Sequence, residues 1–278
     1  MTDDNKNENP LIPTGSQGLD PLKWWSKIDD SLKIIFYINS KFKIEFAEAR
    51  ETEQRYSKAE YLLESSFCGR FESSQAEIEA IRKLDKERIK SILNLTWLYL
   101  GENRISDISP LSNLTNLTTL EFFRNKISDI SPLSSLTNLT TLNLPANKIS
   151  DISALSNLTN LTMLNLSLNE ISDISSLSNL TNLTSLGLSE NEVSDISSLS
   201  NLTNLTGLFL GNNKISDISA LSNLTNLTGL FLGNNKISDI SALSNLTNLT
   251  QLQLSGNKIS GKQVKYIKSK LPNCEIYK

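Results

Sequence analysis

A 22-residue unit recurs eight times in succession, beginning at Leu95, Leu117, Leu139, Leu161, Leu183, Leu205, Leu227 and Leu249, with no insertion between copies. Each copy reads close to Leu-Thr-x-Leu-x-Leu-x-x-Asn-x-Ile-Ser-Asp-Ile-Ser-x-Leu-Ser-Asn-Leu-Thr-Asn. A unit this short cannot bury its own apolar positions, so every copy must stack on its neighbours and the chain must grow as a solenoid. The exposed surface of such a rod suits holding a partner better than doing chemistry.

Within the first unit Leu98 and Leu100 alternate with Trp97 and Tyr99. A period of two places the leucines inward and the aromatics outward on a strand. Eight such strands in parallel, about 4.8 Å apart, predict a sheet roughly 35–40 Å wide. Ile108, Leu111 and Leu114 are three apart, a spacing that suits a 3₁₀ turn rather than an α-helix. Pro110 and Pro132 fall near the start of that turn, where a missing N–H does no harm. Full strands on one side and narrow turns on the other predict shallow curvature with the sheet on the inner face.

Two polar columns run through the units. One is Asn103, Asn125, Asn147, Asn169, Asn191, Asn213, Asn235 and Asn257. A buried amide both donates and accepts, so these residues are expected to satisfy backbone groups where the chain turns inward after each strand. The second column is Asp107, Asp129, Asp151, Asp173, Asp195, Asp217 and Asp239. Capping of each 3₁₀ turn is the expected role. A calcium ladder is the alternative, disfavoured because one carboxylate per unit falls short of the denser acidic loops calcium needs.

Residues 1–19 are read as a disordered leader rich in Asp, Asn, Pro and Gly. Residues 20–94 are expected to form a helical N-terminal cap region covering the first strand. Asp20-Pro21 resembles a helix start, followed by the apolar Trp24, Trp25 and Ile28. Lys41 to Phe46 fits either a short strand or a turn of helix. Residues 73–94 read as a degenerate repeat, with Ile78, Ile89 and Ile92 on apolar positions and Ile81 where the Asn should stand. Residues 95–259 hold the eight full units. Residues 260–278 should close the core with a helix carrying Val264, Ile267 and Leu271, ended by Pro272, and then a short strand with Cys274 and Ile276.

Composition narrows the function classes. Histidine is absent, and the two cysteines, Cys68 and Cys274, are far apart in sequence. A disulfide framework, a cysteine-based metal site and the commonest general base are thereby excluded. Net charge is −3, from 27 basic and 30 acidic side chains. By segment, residues 1–94 hold 15 basic against 17 acidic, 95–259 hold 7 against 12, and 260–278 hold 5 against 1. The repeats offer no basic stripe for a phosphate backbone, so nucleic acid is not an expected partner. No stretch is apolar for long enough to span a bilayer, and no secretory signal precedes the repeats. The expectation is a cytoplasmic, membrane-free monomer without metal or cofactor. Asn-Leu-Thr triplets match the glycosylation pattern but follow the repeat, and glycans at that density would block stacking.

The string Ile-Ser-Asp-Ile-Ser-Pro-Leu-Ser-Asn-Leu-Thr-Asn-Leu at 105–117 resembles bacterial leucine-rich repeats of the internalin type, and the resemblance covers about 95–259. The closing Leu-Pro-Asn-Cys-Glu-Ile at 271–276 is similar to the ends of bacterial proteins of this kind. The resemblance implies an α/β solenoid: a right-handed leucine-rich-repeat superhelix with a parallel β-sheet on the concave face, 3₁₀ turns on the convex face and an α-helical N-terminal cap. It also implies a non-catalytic scaffold that binds a protein partner through the concave face. No sorting motif, immunoglobulin-like domain or wall anchor is recognised, so a surface adhesin is not expected.

The outward strand positions are, in order, Trp97 and Tyr99; Thr119 and Glu121; Thr141 and Asn143; Met163 and Asn165; Ser185 and Gly187; Gly207 and Phe209; Gly229 and Phe231; Gln251 and Gln253. Trp97, Tyr99, Glu121, Phe123, Met163, Phe209 and Phe231 are the candidate partner-binding residues, since exposed aromatics on a polar sheet make good anchors. Trp97, Tyr99 and Phe123 could equally pack against the N-terminal cap. Glu170, Glu190 and Glu192 form a candidate acidic band that could steer a basic partner or be a solvated surface. Two alternative functions stand beside the scaffold. One is an exported internalin-like adhesin or effector. The other is an enzyme in the N-terminal region built on Cys68, with Arg70 near to depress its pKa but no base in view.

Overall fold

The computed structural model describes residues 20–28, 90 and 92–278. The Cys68 segment, the leader and most of the region 20–94 lie outside these residues.

Among the described residues nine parallel strands form one sheet in chain order. They are β1 Trp97–Tyr99, β2 Thr119–Glu121, β3 Thr141–Asn143, β4 Met163–Asn165, β5 Ser185–Gly187, β6 Gly207–Phe209, β7 Gly229–Phe231, β8 Gln251–Gln253 and β9 Glu275–Tyr277. Pairing from β1 to β8 never leaves the repeat register, so Leu98 faces Leu120 and Leu120 faces Leu142. A 3₁₀ turn follows each of β1 to β7, for example Ser109–Asn113 and Ser153–Leu155. The fold is a right-handed leucine-rich-repeat superhelix with the sheet on the concave face. Pro21–Lys27 is helical, with the Asp20 side chain accepting from the Leu22 N–H at 3.1 Å, and Trp25 and Ile28 join the core.

The core is one continuous cluster, mostly Leu and Ile, that runs from Trp25 and Ile28 through Ile92 to Leu271. Its register is doubly fixed, because the residues that pack also hold the backbone. Ile108, Leu111, Leu114 and Leu117 are all buried, and each in turn takes the next one's N–H: Leu111 donates to Ile108 at 3.0 Å, Leu114 to Leu111 at 2.8 Å, Leu117 to Leu114 at 3.0 Å. Spacing of three thus serves side chain and main chain together. Phe122, fully buried in the second coil, is the sole aromatic in a column otherwise filled by Leu.

Coil is bound to coil by three hydrogen-bond ladders. In the first, the buried Asn125 amide donates to the Leu100 carbonyl of the preceding coil at 2.7 Å, while its oxygen accepts from the Ile105 N–H at 2.9 Å. Asn169 repeats the geometry, donating to Leu144 at 3.0 Å and Leu166 at 2.9 Å and accepting from Ile149 at 3.0 Å. Asn103 donates its amide to Gly101 of its own coil at 2.6 Å; the coil before it lies outside the described residues. A second ladder is exposed: Asn160 donates to the Thr137 carbonyl at 2.9 Å, and Asn182 to Thr159 at 2.9 Å. In the third, the Thr96 carbonyl accepts from the N–H and hydroxyl of Thr118 and from the Thr119 N–H, at 2.7, 2.9 and 3.1 Å. These two outer ladders give the Asn-Leu-Thr triplets a structural role.

Just before each ladder Asn the backbone turns left-handed. The residues are Glu102, Arg124, Ala146, Leu168, Glu190, Asn212, Asn234 and, in the last coil, Gly256 at φ 72°. Seven non-glycine residues of varied type therefore hold a conformation that costs an L-residue about 1 kcal/mol each. The ladder Asn that follows locks them there.

The Asp column sits one residue earlier than a strict cap. Asp107 accepts from the Ser109 N–H at 2.8 Å, whereas the cap position itself is Ile108, which has no side-chain bond to give. The carboxylate makes an Asx turn that leads the chain into the 3₁₀ segment. The helix Gly261–Lys270 closes the other end, capped by a reciprocal Ser260–Gln263 box, and β9 then covers β8.

Two predictions follow from this bonding. Asn169→Ala is expected to cost about 1–3 kcal/mol, because a buried N–H and carbonyl lose their partner. Asn160→Ala, whose carbonyl partner is open to water, should cost under about 0.5 kcal/mol; urea unfolding of the two variants compares them. The second concerns acid. The Ser N–H bonds hold the carboxyls of Asp129, Asp151, Asp195 and Asp239 below their usual value of 3.8. A depressed folded pKa gives stability that is complete above the unfolded value and is lost as pH falls through the folded one. The urea midpoint should therefore stay level down to about pH 5 and fall below about pH 4. Replacing all four by Asn, which keeps the acceptor and removes the proton, should flatten that acid limb.

Candidate protein-binding surface

The sheet places every second strand residue on the concave face, and most are small and polar. Three groups break that pattern. At the first strands, Trp97 and Tyr99 lie in a stacked arrangement with ring centroids 6.2 Å apart, and Phe123 meets Tyr99 edge-on at 5.5 Å. Trp97 is 36% exposed. Gly101 makes room for this cluster, since a Cβ there would collide with the Phe123 ring.

Further along, Phe209 and Phe231 stack almost parallel, centroids 4.7 Å apart and 8° between planes. Each ring leans back over the glycine two residues earlier, Gly207 or Gly229. The neighbour of Phe209 on β5 is Gly187, which is also without a side chain. Glycines thus lie beneath both rings and beside Phe209, while Gln253 on β8 stands beside Phe231. Phe209 is 38% exposed.

Between the two aromatic groups runs a groove of about 420 Å³, lined among others by Glu121, Thr141, Asn143, Met163, Asn165, Ser185 and Phe209. Met163 stands out from its floor, 51% exposed. The Asn165 side-chain oxygen accepts from the Ser167 N–H at 3.0 Å. The Asn143 side-chain oxygen is buried and has no hydrogen-bond partner among the described residues.

Of the candidate residues, Glu121, Met163 and Phe209 share the groove. Trp97, Tyr99 and Phe123 form one aromatic contact chain, and Phe231 supports Phe209. Glu170, Glu190 and Glu192 are exposed on the loops that follow the strands, and none lines the groove. Lys214 forms an ion pair with Glu192 and offsets part of that band's charge. At the far end of the rod, on the first two coils, Arg124 binds Glu102 at 3.0 Å. The ladder asparagines, from Asn103 to Asn257, lie behind the concave face and hold backbone.

A second groove, of about 490 Å³, runs along the turn side and is lined by Ser194, Asp195, Ser197, Ser200, Asp217 and Ser219 among others. Its two carboxylates are already occupied by Asx turns to Ser197 and Ser219. The glycines beneath the rings and the unpaired Asn143 are features that sequence reasoning missed. A Gly-x-Phe pair at alternate strand positions was the available signal for the first; nothing in the repeat pattern announces the second.

The family description "Leucine Rich repeats (2 copies)" matches residues 93–135, 115–157, 137–179, 181–223 and 225–264. Among solved structures, the chain is similar to internalin C2 of Listeria monocytogenes, with 36% identity over 67% of this chain and 82% of that one, and a TM-score of 0.64. Internalin F of the same organism shares 36% identity over 69% of this chain and 63% of its own, with a TM-score of 0.56. A leucine-rich-repeat protein of Leptospira interrogans shares 26% identity over 68% and 56% of the two chains, also with a TM-score of 0.56. A comparison with curated proteins gives no match. Among the described residues no helix is long and apolar enough to cross a membrane. Proteins of this kind are in general non-catalytic and bind other proteins. Repeat pattern, sheet topology and these likenesses agree: the chain belongs to the leucine-rich-repeat family, with repeats of the bacterial internalin type.

Proposed function

We propose that the chain is a non-catalytic scaffold that holds one protein partner in the concave groove between its two aromatic groups. The reading is carried by the Phe209–Phe231 stack, a pair of aromatic rings raised on glycines, Phe209 exposed and Phe231 half-buried, in a sheet of small polar residues. Covering one such side chain contributes about 1.5–3 kcal/mol, so a partner that fits over both gains an anchor. Trp97, Tyr99 and Phe123 supply a second anchor at the other end of the groove, with Met163 as an adaptable contact between them. The remaining polar side chains give the rim its hydrogen bonds.

Reactive chemistry finds little support among the described residues. Cys274 is half-buried, and burial together with Glu275 pushes its thiol pKa up, away from a reactive thiolate.

Immobilised wild-type chain and a Phe209→Ala/Phe231→Ala variant would be compared for the proteins each retains. The variant is expected to lose the partner while its melting transition stays within about 1 kcal/mol of wild type, because both rings lie outside the core. Equal recovery of the same partner by both would overturn the role given to the stack.

A further inference from the structure

Glu121 is the one charged side chain among the outward positions of β1 to β8. It sits directly beside Tyr99 on β1 and Asn143 on β3. The nearest strand-end cation along the chain, Arg124, is committed to Glu102. Glu121 is half-buried and, among the described residues, forms no ion pair; it shares its side of the groove with the Asn143 oxygen, which has no partner among those residues. Two adjacent acceptors without donors therefore lie at the foot of an aromatic wall made by Tyr99, Trp97 and Phe123.

A ligand for this corner must bring donors, positive charge and a flat face. A guanidinium has all three: five N–H donors in a planar fork, no acceptor, and a face that stacks on aromatic rings. We infer that the Glu121 corner is an arginine-recognition subsite, and that the partner docks by inserting an arginine side chain between Glu121 and the Trp97–Tyr99–Phe123 wall. The guanidinium pairs with the Glu121 carboxylate, turns a remaining N–H toward the Asn143 amide and lies against Tyr99. The repeats' excess of acidic over basic side chains, 12 against 7, favours approach of such a group. This inference rests on the concave-face reading and names the chemistry at one end of the groove.

The probe is the tripeptide Gly-Arg-Gly, acetylated and amidated, titrated into the full chain. Binding is followed at the Trp97 indole N–H by NMR, its resonance assigned with Trp97→Phe. A saturable shift is expected, and the citrulline tripeptide, equal in shape but uncharged, should bind at least about tenfold more weakly. Glu121→Gln should reduce the arginine peptide to the citrulline level while leaving the melting transition unchanged. Equal midpoints for the two peptides, an unaltered midpoint in Glu121→Gln, or no shift up to the peptide's solubility limit would each overturn the assignment. Such a failure leaves the concave-face reading standing if the Phe209→Ala/Phe231→Ala variant still releases its protein partner.

Discussion

A chain that bends after every strand must bury peptide groups at each bend, and a buried N–H or carbonyl without a partner costs about 1–3 kcal/mol. Asn125 answers that demand with one side chain, giving its N–H₂ to Leu100 and taking the N–H of Ile105. The same amide spans two coils, so it fixes both the bend and the register. Everything else in the rod follows from that register. The leucines line up because the bends line up, and the parallel strands keep their pairing from Trp97 to Gln253. Even the backbone residue ahead of each Asn is held left-handed in spite of its side chain.

The division of labour between the rod's two faces is also a consequence. The turn side is consumed by structure: its carboxylates hold Ser N–H groups, as Asp151 holds Ser153. Its Asn and Thr side chains bond to the preceding coil. The sheet side has its backbone satisfied by strand pairing and by the hidden amides, so its outward side chains are free to vary. The outward strand positions do vary, from Trp97 through Met163 to Gln253, while Leu98, Leu142 and Leu208 beneath them stay the same.

Much of this fold could be read from the chain itself. Alternation at Trp97–Leu100 gave the strand, threefold spacing at Ile108, Leu111 and Leu114 gave the 3₁₀ turn, and Gly261 to Ile276 gave the closing helix and strand. What escaped was detail that depends on three-dimensional placement. The Asp residues stand one place before the cap because the Asx turn precedes the helical residues. The exposed Asn and Thr ladders were hidden inside a triplet that looks like simple repetition. For the candidate site, the outward residues were legible, but the glycine bed beneath Phe209 and the unpaired acceptors at Glu121 and Asn143 were not. The first lies within one unit, where Gly207 stands two residues before Phe209, and the second arises only where neighbouring coils bring Glu121 and Asn143 side by side.

The two aromatic groups are separated by whole coils, Phe123 on the second and Phe209 on the sixth. Their spacing is thus counted in strands of about 4.8 Å each. The units at 205–226 and 227–248 are identical letter for letter, the mark of a copy gained without disturbing its neighbours. Adding or dropping one unit between the anchors would lengthen or shorten the gauge by a single notch. The rod is in this sense a measuring jig whose calliper opening can change only in discrete steps.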